Sequence, residues 1–137
     1  MTGFNEFVGI PWVKGGYDRS GADCWGLVVL SLRDVCGIII RENVGSKACD
    51  DELTMLIDVE RQSNRWHQTA RPRPGDVALM YHKKTGIARH VGVFVGNGNI
   101  LHSPDEGGHM VSQIHPVRIL NRAFARIEYY RYDNDTQ

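Results

Sequence analysis

Apolar residues occupy most of the circumference of one predicted helix near the N-terminus. Residues 23–36 are expected to form this helix, because Asp23 is a suitable N-cap and Gly37 is a suitable residue to end it. The apolar stretch 27–30 runs between them, and the other positions leave no continuous polar face. The helix is therefore predicted to lie at the centre of the fold and not on its surface.

A second helix is predicted for residues 51–66, with Asp50 or Asp51 available as its N-cap. Its apolar side chains recur at helical spacing on one face only, which is typical of a peripheral helix. Pro72 and Pro74 then end the helical pattern, since proline disfavours helix at itself and at the preceding residue.

The second half of the chain changes to short runs rich in Val, Ile, Tyr and Phe, which favour strands. Turn-forming residues separate these runs, as expected for antiparallel hairpins. The predicted strands are residues 77–82, 90–95, 100–102 and 127–132, with turns at 83–86 and 96–99. The pattern between 103 and 120 is weaker and suggests a strand at 110–114 and a short helical turn at 119–124. Helices followed by strands indicate an α+β fold.

Length and composition predict one domain spanning residues 1–137, whose tail at 133–137 is expected to fray. The 16 basic residues equal the 16 acidic ones, so the net charge of zero does not favour binding to nucleic acid or to an anionic membrane. The N-terminus lacks the pattern of a signal peptide, and no apolar run approaches the roughly 20 residues of a membrane span. We therefore expect the chain to be made in the cytoplasm and not to insert into a membrane.

The three cysteines, at positions 24, 36 and 49, are an odd number whose spacing fits neither a metal knuckle nor a redox pair. A disulfide framework is not expected. Cys24 follows the predicted N-cap, where unpaired backbone N–H groups and the helix dipole stabilise a thiolate. Cys24 is therefore the candidate nucleophile. Cys36, at the end of the apolar helix, is expected to lie in the core, and Cys49 lies in a polar stretch with no histidine nearby.

A cysteine nucleophile needs a base, and the base needs a partner to orient it. His90 begins one predicted strand and His102 ends the next, and the turn at 96–99 joins the two strands. Counting back from the centre of this turn places His90 near Asp105, and His102 near Gly92 or Val93, so that both histidines share one face. The other four histidines, at positions 67, 82, 109 and 115, are assigned to loops or to the surface.

The sequence disfavours two other kinds of binding site, a zinc site and a phosphate-binding loop. A zinc site at Cys24, His90 and His102 is disfavoured because no two of them have H-x-x-x-H or C-x-x-C spacing, and no cofactor is expected. The turn at 96–99 lacks the lysine and the following helix of a phosphate-binding loop. Asp76 is predicted to be structural, with its carboxylate accepting from backbone N–H groups.

Four segments of the chain occur in a characteristic order and spacing: residues 9–16, 23–27, 73–77 and 90–96, the last followed by Leu101-His102. In order and spacing these segments resemble the NlpC/P60 cysteine peptidases, and the likeness covers nearly the whole chain. The string Asp23-Cys24-Trp25-Gly26-Leu27 further resembles the short forms that tailed bacteriophages encode as tail-assembly or tail-tip peptidases.

The resemblance implies a papain-like α+β core, with the nucleophile at the start of a central helix that packs on an antiparallel sheet. It implies that Cys24 is the nucleophile, that His90 is the general base and later the general acid, and that His102 orients His90. It also places Trp12, Asp23 and Trp25 near the site, with backbone N–H groups at the helix start in the oxyanion hole. Trp12 stands where the family usually has a tyrosine, and its indole donates a hydrogen bond but accepts none.

The family resemblance implies hydrolysis of a peptidoglycan stem peptide between D-γ-glutamyl and diaminopimelate or lysine. The resemblance to the phage forms implies a tail-associated enzyme that acts in the periplasm or cell wall and has tail-tip proteins as further partners. Two alternatives stay open. One is a structural or assembly component of a tail tip whose peptidase activity is vestigial or directed at a protein, and the other is an injected antibacterial amidase.

Overall fold

A computed structural model describes residues 3–40, 66–104 and 111–133. The chain opens with a 3-10 helix, Phe4–Phe7, and a two-stranded ribbon of β1 and β2, which leads directly into helix α1. A π-helical turn extends α1, and strands then dominate the rest of the described chain. In chain order the elements are β1 (Tyr17–Asp18), β2 (Gly21–Ala22), α1 (Cys24–Ser31), the π turn (Leu32–Cys36), β3 (Trp66–Thr69), β4 (Val77–Tyr81), β5 (Ala88–Gly96), β6 (Asn99–His102), β7 (Gln113–Pro116), α2 (Val117–Ala123) and β8 (Arg126–Tyr132).

Helix α1 confirms the predicted central helix. Every residue of α1 except Val29 is buried, as expected for a helix without a polar face. Asp23 is the N-cap, and Gly37 ends the π turn with a left-handed φ of 69°. In that conformation glycine avoids the steric cost that a Cβ would carry.

Six antiparallel strands form one sheet in the order β3-β8-β4-β5-β6-β7. Both predicted hairpins are present, one joining β4 to β5 and the other joining β5 to β6. The second turn has φ of 54° at Asn97 and 72° at Gly98, which are angles that asparagine and glycine tolerate best. The strands predicted at 77–82, 90–95, 100–102 and 127–132 therefore agree with the observed strands to within two residues at each end.

The sheet buries side chains on both faces, and β4 is buried along its whole length. On one face, Val77, Leu79, Val91 and Val93 belong to the same cluster as Trp25 of α1. The opposite face carries a second cluster of Ala78, Met80, Ile100 and Leu120, with Phe94 and Phe124 packed against it. The sheet is thus the middle layer between α1 and α2.

The weakly patterned regions depart from the predictions. Strand β7 lies three residues later than the strand expected at 110–114, and Val111 makes only an isolated bridge to Pro11. The short helix near 119–124 is confirmed, although α2 begins earlier, at Val117. The helix predicted for 51–66 lies outside the described residues except for Trp66, which starts β3 and packs edge-on against Tyr132 at 4.8 Å between ring centroids.

A partly buried ion pair joins β8 to the turn before β4. Arg131 donates two hydrogen bonds to the Asp76 carboxylate, at 2.9 and 2.7 Å, and the backbone N–H of Arg73 donates a third at 2.8 Å. The last bond confirms the predicted capping role of Asp76. A nearly buried carboxylate requires such partners, because desolvation of an unpaired charge is strongly unfavourable.

Among the helices that the described ranges contain, none is both long enough and apolar enough to cross a bilayer.

Candidate active site

Cys24 is the first residue of α1 and is completely buried. The Asp23 side chain holds this end of the helix, since its Oδ1 accepts from the backbone N–H of Gly26 at 2.7 Å. Its Oδ2 accepts from the N–H of Gly15 at 2.9 Å. Burial raises the pKa of Asp23, while these backbone N–H bonds act to lower it. Asp23 therefore connects the loop before β1 to the first turn of α1.

Two glycines allow the loop and the helix to approach closely. A Cβ on Gly26 would lie only 1.9 Å from the carbonyl oxygen of Gly16. That same oxygen accepts from the backbone N–H of Asp23 at 3.2 Å. The glycine two residues after Cys24 is therefore required by the packing of α1 against the loop, because no larger residue fits beside this carbonyl.

His90 and His102 meet across the β5–β6 hairpin, as predicted. His102 lies directly opposite Gly92, and His90 is two residues earlier in β5, so both side chains share one face. His90 Nε2 and His102 Nδ1 are 2.8 Å apart, and both side chains are buried. A register shift between Phe94 and Gly96 moves the pairing by one position relative to a regular hairpin. The predicted position of His90 near Asp105 lies outside the described residues.

Gly92 makes room for this histidine pair. A Cβ at position 92 would stand 3.0 Å from the Cβ of His102 and 2.7 Å from the carbonyl oxygen of Leu101. Any larger residue would push β6 away from β5 at the point where the two rings meet.

A third histidine extends the pair. His115, on β7, places its Nδ1 2.8 Å from the Nε2 of His102. Sequence reasoning assigned His115 to a loop or the surface, which is wrong, since the side chain is partly buried and hydrogen-bonded. The error arose because the strand predicted at 110–114 ended before position 115. In the observed register Ile100 pairs with His115, so His115 lies diagonally next to His102.

The surroundings of His102 keep its ring neutral. Burial, together with the positive charges that His90 and His115 can carry, lowers the pKa of His102 to about 2. With both ring nitrogens engaged, His102 can donate at one of them and accept at the other.

Phe124 fixes the plane of the His90 ring from the other side. The two rings are stacked with 5.8 Å between centroids and 6° between planes. Phe124 follows α2 directly, so this helix delivers an aromatic side chain to the histidine cluster. Sequence reasoning missed this contact, since it depends on how α2 packs on the sheet.

The predicted neighbours of the site occupy different surroundings. Trp25 lies in the core against Trp66, with 6.3 Å between ring centroids. Trp12 lies in the segment whose backbone pairs with Ala22, two residues before Cys24. Within the described residues, neither buried indole N–H has a hydrogen-bond partner. A ligand that reached Trp12 would therefore meet a hydrogen-bond donor not engaged by these residues.

The cysteine sulfurs are in different states. Cys36 is free and exposed, so its expected place in the core is wrong, whereas Cys24 is disulfide-bonded. The expectation of a reduced thiol therefore does not hold for Cys24, and its thiolate requires prior reduction. No grouping of His, Cys, Asp and Glu within the described ranges is suited to holding a metal ion.

Comparison with known proteins identifies the family. The NlpC/P60 family model matches residues 9–126. Murein DD-endopeptidase MepH of Escherichia coli (strain K12) is 33% identical over 111 residues, covering 78% of this chain and 36% of the relative. Gamma-D-glutamyl-L-lysine dipeptidyl-peptidase of Bacillus subtilis (strain 168) is 30% identical over 102 residues, covering 74% of this chain and 30% of the relative. The chain thus spans about a third of the length of these two relatives.

A solved structure supports the same fold. The NlpC/p60 domain of the peptidoglycan hydrolase SagA superposes with a TM-score of 0.58 at 21% identity, covering 92% of this chain and 89% of that domain. The expected α+β papain-like arrangement is confirmed, with Cys24 at the start of a helix that packs on a six-stranded antiparallel sheet. From the family match over residues 9–126 and this shared fold, we conclude that the chain belongs to the NlpC/P60 family.

Proposed function

We propose that the chain is a cysteine peptidase in which Cys24 is the nucleophile, His90 is the general base and His102 orients His90. The observation that carries this proposal is the buried His90–His102 pair, whose ring nitrogens are 2.8 Å apart; Val91, the residue after His90, lies in the same buried cluster as Cys24. His102 occupies Nε2 of His90, which leaves Nδ1 as the nitrogen to exchange a proton with Cys24. Family membership supports the same assignment.

The reaction follows from these positions. Once an added thiol has reduced the disulfide by thiol–disulfide exchange, the Cys24 thiolate attacks the amide carbonyl carbon, and backbone N–H groups at the start of α1 stabilise the oxyanion. The C–N bond breaks as His90 gives its proton to the leaving amine, which leaves an acyl thioester. Water then attacks the thioester while His90 takes up its proton, and the thiolate is released with a free carboxylate.

The proposed substrate is a peptidoglycan stem peptide, cut between D-γ-glutamyl and diaminopimelate. The names of two relatives support this class of polymer, since one is a murein DD-endopeptidase and the other is a γ-D-glutamyl-L-lysine dipeptidyl-peptidase. These names refer to different bonds, so the substrates used in the test must contain both bonds.

The test incubates the purified, reduced chain with diaminopimelate-type muropeptides, both uncrosslinked and crosslinked, and detects new amines by mass spectrometry. Wild type is expected to cleave the γ-glutamyl bond. Cys24→Ala should lose at least about a thousandfold in rate, as expected for loss of a covalent nucleophile. Cys36→Ala is the matched control and should retain full activity. Absence of cleavage by wild type, or equal cleavage by Cys24→Ala, would remove the peptidase proposal.

We further propose that the enzyme is made in a host cytoplasm and becomes part of a phage tail, from which it acts on the periplasmic cell wall. The support for this role is the resemblance of the Asp23–Leu27 string to the short phage forms. Mass spectrometry of purified particles is expected to detect the chain together with tail-tip proteins. Its absence from particles, together with a neighbouring immunity gene, would favour the injected amidase instead.

An assembly role is the second candidate, and the observation that favours it is tryptophan at position 12, where the family usually has tyrosine. The two roles separate in particles that carry Cys24→Ala. If the chain acts as an enzyme, these particles should assemble normally but open the cell wall poorly. Normal infection by such particles would favour the assembly role.

A further inference from the structure

His115 is the outermost histidine of the cluster, and strand β7 brings it into polar contact with His102. Strand pairing of β7 with β6 holds His115 on the same face as His102. The two rings are inclined by 56° with 4.9 Å between their centroids, and His115 Nδ1 meets His102 Nε2 at 2.8 Å. His115 is more exposed than His102, so the cluster runs from the buried His90 outward.

Counting protons leaves two arrangements for this cluster. A neutral imidazole carries one N–H, so His102 donates either to His90 or to His115, and accepts from the other. In the outward arrangement, His90 Nε2–H donates to His102 Nδ1, and His102 Nε2–H donates to His115 Nδ1. In the inward arrangement both bonds run in the opposite direction.

Only the outward arrangement suits a base at His90. With the His90 proton on Nε2, its Nδ1 keeps a lone pair that can take a proton from Cys24. In the inward arrangement, a neutral His90 carries its proton on Nδ1 and cannot act as the base. An imidazolium at His90 would also direct its Nε2–H at the N–H of His102, whereas the outward arrangement offers this hydrogen an acceptor.

We propose that His115 is a positioning residue, whose Nδ1 lone pair holds His102 in the Nε2–H tautomer and thereby keeps His90 ready to act as a base. This inference rests on the proposed peptidase function. His115 does not touch the reacting atoms in this scheme, and its effect passes through His102. A purely structural role for His115 would require only that its volume be filled.

Two substitutions separate these roles. His115→Asn places an amide oxygen near the position of Nδ1 and can still accept from His102, whereas His115→Leu has a similar size without an acceptor. In reduced protein acting on muropeptides, His115→Leu should lower kcat by at least about tenfold with KM changed less than about twofold. His115→Asn should remain within about threefold of wild type. Equal activity of both variants, whether high or low, overturns the proposal.

A direct readout does not depend on activity. Long-range ¹H–¹⁵N correlation of reduced, ¹⁵N-histidine-labelled protein reports which nitrogen of each ring carries the proton, and His102→Gln identifies the signals of His102. In wild type, His102 should be protonated at Nε2, and His115→Leu should abolish this preference. A proton on Nδ1 of His102 in wild type, or a tautomer unchanged by His115→Leu, overturns the proposal.

The two experiments distinguish a failure of the positioning role of His115 from a failure of the proposed peptidase function. If wild type cleaves muropeptides and His115→Leu cleaves them equally well, the peptidase proposal stands and the positioning role is wrong. If wild type cleaves nothing, the tautomer measurement still decides whether His115 controls His102.

Discussion

Burial of His102 has a consequence for the acid stability of the protein. The pKa of this side chain falls from its usual 6.5 to about 2, with desolvation as the largest cause. Above pH 6.5 the ring is neutral in both the folded and the unfolded chain. Below that value the unfolded chain binds a proton that the folded chain does not bind, so acidification favours unfolding.

We therefore predict a steeper acid loss of stability in wild type than in His102→Gln. Between pH 6 and pH 4 the free energy of unfolding of wild type should fall, relative to the variant, by about 1 kcal/mol per pH unit. Urea unfolding curves at pH 7, 5.5 and 4.5 provide the measurement. Parallel pH profiles of the two proteins would show that His102 is not held neutral by folding.

The residues of the site differ in how far local sequence predicts them. Cys24 is marked by the N-cap before it, and His90 and His102 are related by a short hairpin whose turn is written in the chain. His115 and Phe124 reach the cluster through a strand and a helix whose boundaries have weak local signals. Their roles therefore require the register of β7 and the packing of α2.

At the scale of elements, the position of α1 depends on its contact with the preceding loop. Gly26 faces the Gly16 carbonyl, and Asp23 bonds to both segments. Helix propensity alone favours alanine over glycine by about 1 kcal/mol inside a helix. The steric contact opposes that preference, because the backbone oxygen of Gly16 cannot rotate away as a side chain would.

We predict that Gly26→Ala destabilises the protein by about 2 kcal/mol or more, despite the gain in helix propensity. The loop should move away from the first turn of α1, and peptidase activity should fall with it. Chemical denaturation and muropeptide cleavage measure the two effects.

Gly3→Ala is the matched control, because a Cβ at Gly3 would contact nothing within 4 Å. This change should stay within about 0.5 kcal/mol of wild type. Equal unfolding midpoints for the two variants would contradict the steric role of Gly26.

Strand β8, the last strand that the structure describes, lies inside the sheet. Strand β8 pairs with β3 on one side and with β4 on the other, and Arg131 of β8 neutralises Asp76. The family match ends at residue 126, where β8 begins, so this strand completes the sheet beyond the matched region. The order of strands thus makes the fold depend on its C-terminal segment.

Truncation tests this dependence. A chain ending at residue 125 should fail to fold cooperatively, because it leaves β3 without its partner and Asp76 without its counter-ion. A chain ending at Asp133 keeps all of β8 and should melt within a few degrees of the full chain. Circular dichroism melting curves compare them, and a cooperative transition in the shorter chain would show that β8 is dispensable.

Local sequence was enough to predict the central helix and its cap, the two hairpins, and the nucleophile and base candidates, because these follow from interactions between residues close in the chain. Three contacts required the folded chain: Asp23 with Gly15, Arg131 with Asp76, and His115 with His102. The Arg131–Asp76 contact joins segments that are distant in sequence, and the His115–His102 contact depends on the register of β7 against β6. Register is set by the burial of whole faces of the sheet, which no local pattern in one segment can specify.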